Sequence, residues 1–366
     1  MSFRPLVAMK SKMGEFESLR HLGDHGDSTP RVIIELLDSV QPEGRGQLMP
    51  ALVGAAVRMA ERGRPAWIDP HLLSSTAALA RCPGGALEHL DNRIENALAD
   101  KLGLLAPDVP ALIPVVPVSA TDDRLSTVAL LQEHRPREIV VRFRDFRLAA
   151  GELGDRLRHI ARRTRIDDNT MHAVIDLGHV ETVHPQQVGL ALSLARALTD
   201  HLGPDSTTLL AGSTPAARHG FATAVRDRPE VRIWREVASG VSGARINYGD
   251  YGVAHPHPSA PGNPGPRTIN PYLFYTVPNC VIAMRRQLVR ESGKVTPGAA
   301  AEAFTNLADE LVARPEFAGS GYSWGDRELA GCRRGGGQTA SSVSRWIAMA
   351  MSHHLEHLTR RAPSEL

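Results

Sequence analysis

Several short apolar runs in this chain end in charged or polar residues that a buried strand has no structural use for. Lys10, with Glu15 just beyond it, closes the first, and Glu35 and Asp69 close the next two. Arg142 and Arg144 lie on a fifth run, Asp176 on a sixth, Ser213 at the end of a seventh, and Asp250 and Tyr251 after an eighth. Carboxylates in such a set can act as general acid or base, and arginine forks hold anions through paired N–H donors. Lys10, Glu35, Asp69, Asp176 and Asp250 are therefore the catalytic candidates. Arg142, Arg144, Glu15, Ser213 and Tyr251 are candidates for holding substrate. A competing reading is purely structural, with Lys10–Glu35 and Arg142–Asp176 neutralising one another inside the fold.

Glu35, Asp69 and Asp176 are oxygen ligands of the kind that hold Mg²⁺, Mn²⁺ or Ca²⁺. No His-x-His pair ends the first run, and the nearby lysine and arginines already balance three carboxylates. No metal is assigned on these grounds, and the cofactor stays open. His353, His354 and His357 invite comparison with a zinc site. Adjacent helical residues point about 100° apart, so only His353 and His357 share a face, and solvent exposure or a single functional histidine is expected. Gly212-Ser213-Thr214-Pro215 lacks the GxSxG elbow, and Gly331–Gly337 lacks the lysine and context of a phosphate loop.

Eight apolar runs must position these residues: Pro5–Lys10, Arg31–Asp38, Ala66–Asp69, Leu112–Val118, Ile139–Arg144, Ala173–Gly178, Thr207–Ser213 and Ala244–Asn247. Amphipathic stretches separate them, including Leu48–Arg62, Ala86–Leu105, Arg124–His134, Leu148–Thr164, Pro185–Leu202 and Phe221–Ser239. Eight strand–helix units make an α/β fold, a (β/α)8 barrel of the TIM type, whose chemistry sits at the carboxyl ends of its strands. Strand alternation pairs Ala8 with Lys10, Ile33 with Glu35, Trp67 with Asp69, Val140 with Arg142 and Val174 with Asp176. Each pair is expected to face the barrel interior, because charges on a dry helix layer are costly.

The pattern breaks near His255, where His255–Pro266 reads as a Pro/Gly-rich lid or linker. A β-like stretch, Tyr272–Met284, and helices Ala299–Ala313 and Ser342–Arg360 follow. Residues 1–254 are read as the barrel and 255–366 as a C-terminal cap packed on it in the same structural module.

With 366 residues, 42% hydrophobic and 22% charged, the chain can bury a large core. A net charge of +2 gives no general drive toward nucleic acid or membrane, so neither is expected as a partner. Arg158, Arg162, Arg163 and Arg165 read as a solvated helix face. Three scattered cysteines build neither a disulfide framework nor a zinc site. The amino terminus carries no apolar core of a secretion signal, so a cytoplasmic location is expected.

Several segments resemble the beta protein family, a group found in bacteria and phages. They are Arg4-Pro5-Leu6-Val7-Ala8-Met9-Lys10-Ser11-Lys12-Met13-Gly14-Glu15, Asp176-Leu177-Gly178, Tyr248-Gly249-Asp250-Tyr251-Gly252 with His255-Pro256, and Tyr322-Ser323-Trp324-Gly325-Asp326 followed by Trp346 and His353-His354. The resemblance spans residues 4 to 354 and implies one full-length module, with a hint of phage–host conflict from where relatives occur. It adds Asp326, His353 and His354 to the candidate site, with Asp326 and His353 among the substrate-binding residues. That requires the C-terminal segment to cap the mouth.

Together these features point to a barrel enzyme acting on an anionic, phosphate-bearing substrate, hydrolase or phosphodiesterase-like if it is catalytic. The alternative is a non-catalytic defence- or phage-associated sensor. It would bind a nucleotide or a protein partner at the same mouth.

Overall fold

The computed structural model describes residues 3–43, 46–103, 108–146, 150–166, 170–216, 220–257 and 269–366. Eight parallel strands close a barrel in the order β1 (Leu6–Lys10), β2 (Arg31–Glu35), β3 (Ala66–Asp69), β4 (Leu112–Pro117), β5 (Ile139–Phe143), β6 (Met171–His179), β7 (Thr207–Gly212) and β9 (Ile246–Asp250), with β9 pairing back to β1. All eight expected runs contribute a strand. The last one is displaced. Ala244–Asn247 was its expected extent, whereas β9 runs on through Tyr248, Gly249 and Asp250, with Gly249 in register with both Leu6 and Leu210. Glycine and aspartate are poor strand formers, so closure of the ring decides this strand, not local propensity.

The helices α1 (Met13–Arg20), α2 (Leu48–Ala60), α3 (Gly85–Leu102), α4 (Asp122–His134), α5 (Ala150–Thr164), α6 (Pro185–Thr199) and α7 (Pro229–Gly240) surround the barrel. The expected helix Phe221–Ser239 begins only at Pro229, where the missing proline N–H costs nothing. The residues before it form β8 (Ala224–Asp227), which leaves the barrel and pairs with the C-terminal hairpin β10 (Tyr272–Val277) and β11 (Cys280–Arg285).

Beyond the hairpin come α8 (Ala299–Val312), α9 (Trp324–Gly331) and α10 (Val343–Arg360). Ser323 and Ser342 cap α9 and α10, their hydroxyls accepting from the backbone N–H of Asp326 and Arg345. α10 packs against α1, α9 and β10, continuing the helix ring next to α1. One hydrophobic core runs from the barrel helices through Phe304, Leu307, Trp346 and Leu355 of this segment. Most of the Pro/Gly-rich stretch, residues 258–266, lies outside the described residues.

Strand alternation sorts the barrel into two layers. Val7, Met9, Val32, Ile34, Ile68, Val141 and Phe143 pack outward on the helices. Leu6, Ala8, Ile33, Trp67, Ile113, Val115, Val140, Val174, Leu210 and Tyr251 fill the interior as a separate cluster. Every interior partner foreseen for a charged strand end is in that inner set. Among the described residues, no helix is long and apolar enough to cross a membrane.

Candidate functional site

Above the apolar plug, the strand ends build one buried ionic cluster. The Arg142 guanidinium donates to Asp69 Oδ2 at 2.6 Å, to Asp176 Oδ2 at 3.1 Å and to the Tyr251 hydroxyl at 2.7 Å, and it lies 3.0 Å from Glu35 Oε1. Arg144, just past β5, reaches the same three carboxylates: Glu35 at 2.8 Å, Asp176 at 3.0 Å and Asp69 at 3.1 Å. Lys10 Nζ donates to Glu35 Oε2 at 3.3 Å, and the Tyr251 hydroxyl donates to Asp176 Oδ1 at 2.7 Å.

Three carboxylates thus face three cations. Burial pushes the Arg142 pKa down, but Asp176, Tyr251, Glu35 and Asp69 outweigh it and hold the guanidinium firmly charged. Asp176 is pushed up by burial, but Arg142 and Arg144 together with hydrogen bonds from Tyr251 and Gly178 bring it below its ordinary value, so it stays ionised.

The aspartates are aimed by their own backbone. Asp69 Oδ1 accepts the N–H of His71, Asp176 Oδ1 that of Gly178, and Asp250 Oδ1 that of Gly252, each at 2.9 Å. Gly178 and Gly252 adopt φ of +64° and +58°, where a side chain would be strained. At the first of these turns the β6–β7 register slips at Leu177, just past Asp176, which faces the barrel by its alternation with Val174.

Asp250 belongs to a second cluster, outside the barrel interior. It shares a strand face with Tyr248, opposite Tyr251, and so points toward the C-terminal segment. Its Oδ2 accepts from Tyr248 at 2.7 Å and Arg228 at 3.2 Å, and its Oδ1 from His354 Nε2 at 2.9 Å. Burial pushes its pKa up, but His354 and Arg228, with the Tyr248 hydrogen bond, bring it down to about 2. Ser213 borders a small void of about 10 Å³ beside this cluster. Asp326 and His353 form a third buried group. His353 Nδ1 faces Asp326 Oδ2 at 2.9 Å while its Nε2 donates to the Thr276 carbonyl at 2.7 Å, and Tyr275 and Ser323 also donate to Asp326.

The expectation of one convergent mouth is therefore corrected: Lys10, Glu35, Asp69, Arg142, Arg144, Asp176 and Tyr251 come together, whereas Asp250, Asp326, His353 and Ser213 do not join them. The expected solvent exposure of the α10 histidines is also corrected, since His353, His354 and His357 are all buried. α10 is enclosed by α1, α9 and β10, so no face of this stretch meets water.

The open space at the carboxyl end lies beside the ionic cluster. A cavity of about 540 Å³ is lined by Lys10, Lys12, Glu15, His255, His257 and Ser344, with Met13, Val253, Ile269, Tyr272, Val343 and Ile347 as its apolar wall. Glu15, on the first turn of α1, is 1% exposed, and its Oε2 has no hydrogen-bond partner. Burial raises its pKa, against the opposing pull of Lys12 and Lys10. Burial lowers that of Lys10, against Glu35.

Sequence reasoning chose Lys10 and Glu15 but missed Lys12, His255, His257 and Ser344. Lys12 had a usable signal, its place between Lys10 and Glu15 at the first strand end. Ser344 had none. Among the described residues, no group of three or more His, Cys, Asp and Glu side chains is arranged to hold a metal ion. Glu35, Asp69 and Asp176, the ligands the sequence offered, face Arg142 and Arg144 instead.

The family model described as Beta protein matches residues 4–360, and the chain belongs to that family. No curated protein matches it.

Proposed function

We propose that this chain is a barrel enzyme that takes an anionic, phosphate-bearing substrate into the cavity between α1, α10 and the β1 end, with Glu15 as its acid–base group. The observation that carries the reading is Glu15 itself: a buried carboxyl on the cavity wall, with one oxygen unpartnered and its pKa raised beside two lysines. A carboxyl whose pKa is raised by burial is suited to deliver a proton to a leaving oxygen, as in a hydrolase or phosphodiesterase-like reaction. Lys10 and Lys12 supply the positive charge, and the apolar wall leaves room for a substrate body. Arg142, Arg144, Asp69, Asp176 and Tyr251 act at one remove, fixing Glu35, which in turn fixes Lys10. The reading places the enzyme in the cytoplasm.

The competing reading is a sensor, defence- or phage-associated, that binds a nucleotide or a protein partner at this mouth without chemistry. It is favoured by one fact: Glu35, Asp69 and Asp176 are all engaged by arginine, so none of these three carboxylates is free to act as a base.

Turnover of bis(p-nitrophenyl) phosphate and p-nitrophenyl phosphate by the full chain, together with mass spectrometry of co-purified ligands, tests the choice. Glu15→Gln should cut turnover by about 100-fold or more while leaving the melting temperature equal or higher. A bound anion without turnover supports the sensor. Undiminished turnover in Glu15→Gln removes the enzyme reading as stated.

A further inference from the structure

The small sheet that the C-terminal segment builds with β8 borders a second cavity, of about 420 Å³, that none of the preceding chemistry uses. Its strands set Ala224 of β8, Ala283 of β11 and Phe274 of β10 in one row, each in register with the next. Side chains in one row share a face of the sheet, so two methyl groups lie side by side next to a ring. The small size of the two alanines is what opens the space. Tyr272 and Arg285, opposite each other in register, stand two residues along on the same face, and Arg226 stands two residues the other way.

This cavity adjoins the one at the β1 end. Ala216, His255 and Tyr272 line both, and the ring of His179, on the second cavity, stands 4.8 Å from that of His255. The two spaces differ in chemistry. Lys10, Lys12 and Glu15 line the first, whereas the second has an apolar and aromatic wall with His179, Glu181 and Arg226 as its hydrogen-bonding groups. A flat ring with donors and acceptors along its edge suits such a wall, because its faces are apolar while its edge can meet a carboxylate and a guanidinium. The volume falls in the range of small-molecule sites, about 300–1,000 Å³.

We propose that the phosphate-bearing ligand of the mouth is an ester whose alcohol carries a nucleobase-like aromatic ring, and that this ring occupies the second cavity over Ala224, Ala283 and Phe274. The placement rests on the reading of Lys10 and Lys12 as the phosphate end. It gives a task to the β8–β11–β10 sheet, which closure of the barrel does not require. The barrel end holds the phosphate, and the added sheet selects the organic half of the molecule.

Isothermal calorimetry of the full chain with adenosine 5′-monophosphate and with ribose 5-phosphate tests it, because the two differ by the base. The adenine-bearing ligand should bind about tenfold more tightly or better, as expected when a base is buried against an aromatic wall. Ala224→Trp and Ala283→Leu, which fill the pocket, should each remove that difference and leave ribose 5-phosphate binding unchanged. Lys12→Gln should weaken both ligands alike. Ala224 is exposed on an edge strand, where tryptophan is tolerated, and the melting temperature of Ala283→Leu is read in parallel. Absence of binding by either ligand, equal affinity for the two, a difference that survives both filled variants, or adenosine 5′-monophosphate binding that ignores Lys12→Gln would overturn the proposal. Turnover is a separate readout: a chain that binds in the expected pattern and turns nothing over keeps the aromatic pocket and loses only the acid–base role of Glu15.

Discussion

The two ends of this barrel hold their arginines in different settings. At the carboxyl end, Arg142 is 1% exposed and contacts Glu35, Asp69 and Asp176, while Arg144 and Lys10 complete a set in which charges match one for one. At the amino end, four half-buried arginines and an exposed glutamate line one cavity, with Arg62 and Arg64 donating to backbone carbonyls and Arg31 lying over Trp67. The same side chain is locked into a buried ionic cluster in one place and lines open space in the other. A charge placed where chemistry is expected is thus a poor guide to function until its partners are counted. Within the carboxyl end the contrast repeats on a smaller scale, since the most deeply placed charges are fully paired and the unpaired carboxyl, Glu15, stands one step aside on α1.

The sharpest way to break this comparison is Arg142→Ala. If the cluster is framework, leaving three carboxylates buried against fewer cations should lower unfolding free energy by about 3–5 kcal/mol, read from urea denaturation. A loss under about 1 kcal/mol would mean that the cluster stores strain, as functional sites do, and would return Arg142 to the ligand-binding group.

His357 extends the comparison to a buried group with one unpartnered nitrogen. Burial, then Arg228, His353, His354 and Arg361, push its pKa down to about 2, and its Nε2 is unpartnered. A histidine kept neutral in the fold but titrating near 6.5 when unfolded binds more protons in the unfolded state between those two values. Stability should therefore fall as pH drops below 6.5, by about 2 kcal/mol from this residue at pH 5. Asp250 adds a further loss only below its ordinary value near 4, because its folded pKa is also depressed, to about 2. Melting curves from pH 8 to pH 5 should be flatter for His357→Phe than for the native chain. An unchanged slope would show that this histidine is not held neutral.

Arg144 should give the smallest effect. It touches the same carboxylates as Arg142 but is about a quarter exposed, so water can replace part of what it supplies. Arg144→Gln is expected to cost about 1 kcal/mol in the same urea measurement. A cost equal to that of Arg142→Ala would show that the cluster is cooperative and has no exposed edge.

The amino-acid pattern alone determined seven of the eight barrel strands, most of their helices and the inward direction of Lys10, Glu35, Asp69, Arg142 and Asp176, because a two-residue alternation and a helical apolar stripe are local properties. It could also place Asp176 and Asp250 in Asp-x-Gly turns, since glycine adopts the positive φ of those turns without the strain a side chain adds. It could not decide which way Asp250 faces, because its strand is rich in residues that do not favour strands and takes its register from closing the ring onto β1. Nor could it see that the helix expected over Phe221–Ser239 gives its first residues to a sheet with β10 and β11, a pairing supplied by chain far away in sequence. Whether a charge is paired, and so whether it is framework or site, depends on residues as distant as Asp69 from Arg142 or His354 from Asp250. Only the folded chain sets those distances, and Coulomb energy and desolvation depend on distance and burial rather than on order along the sequence.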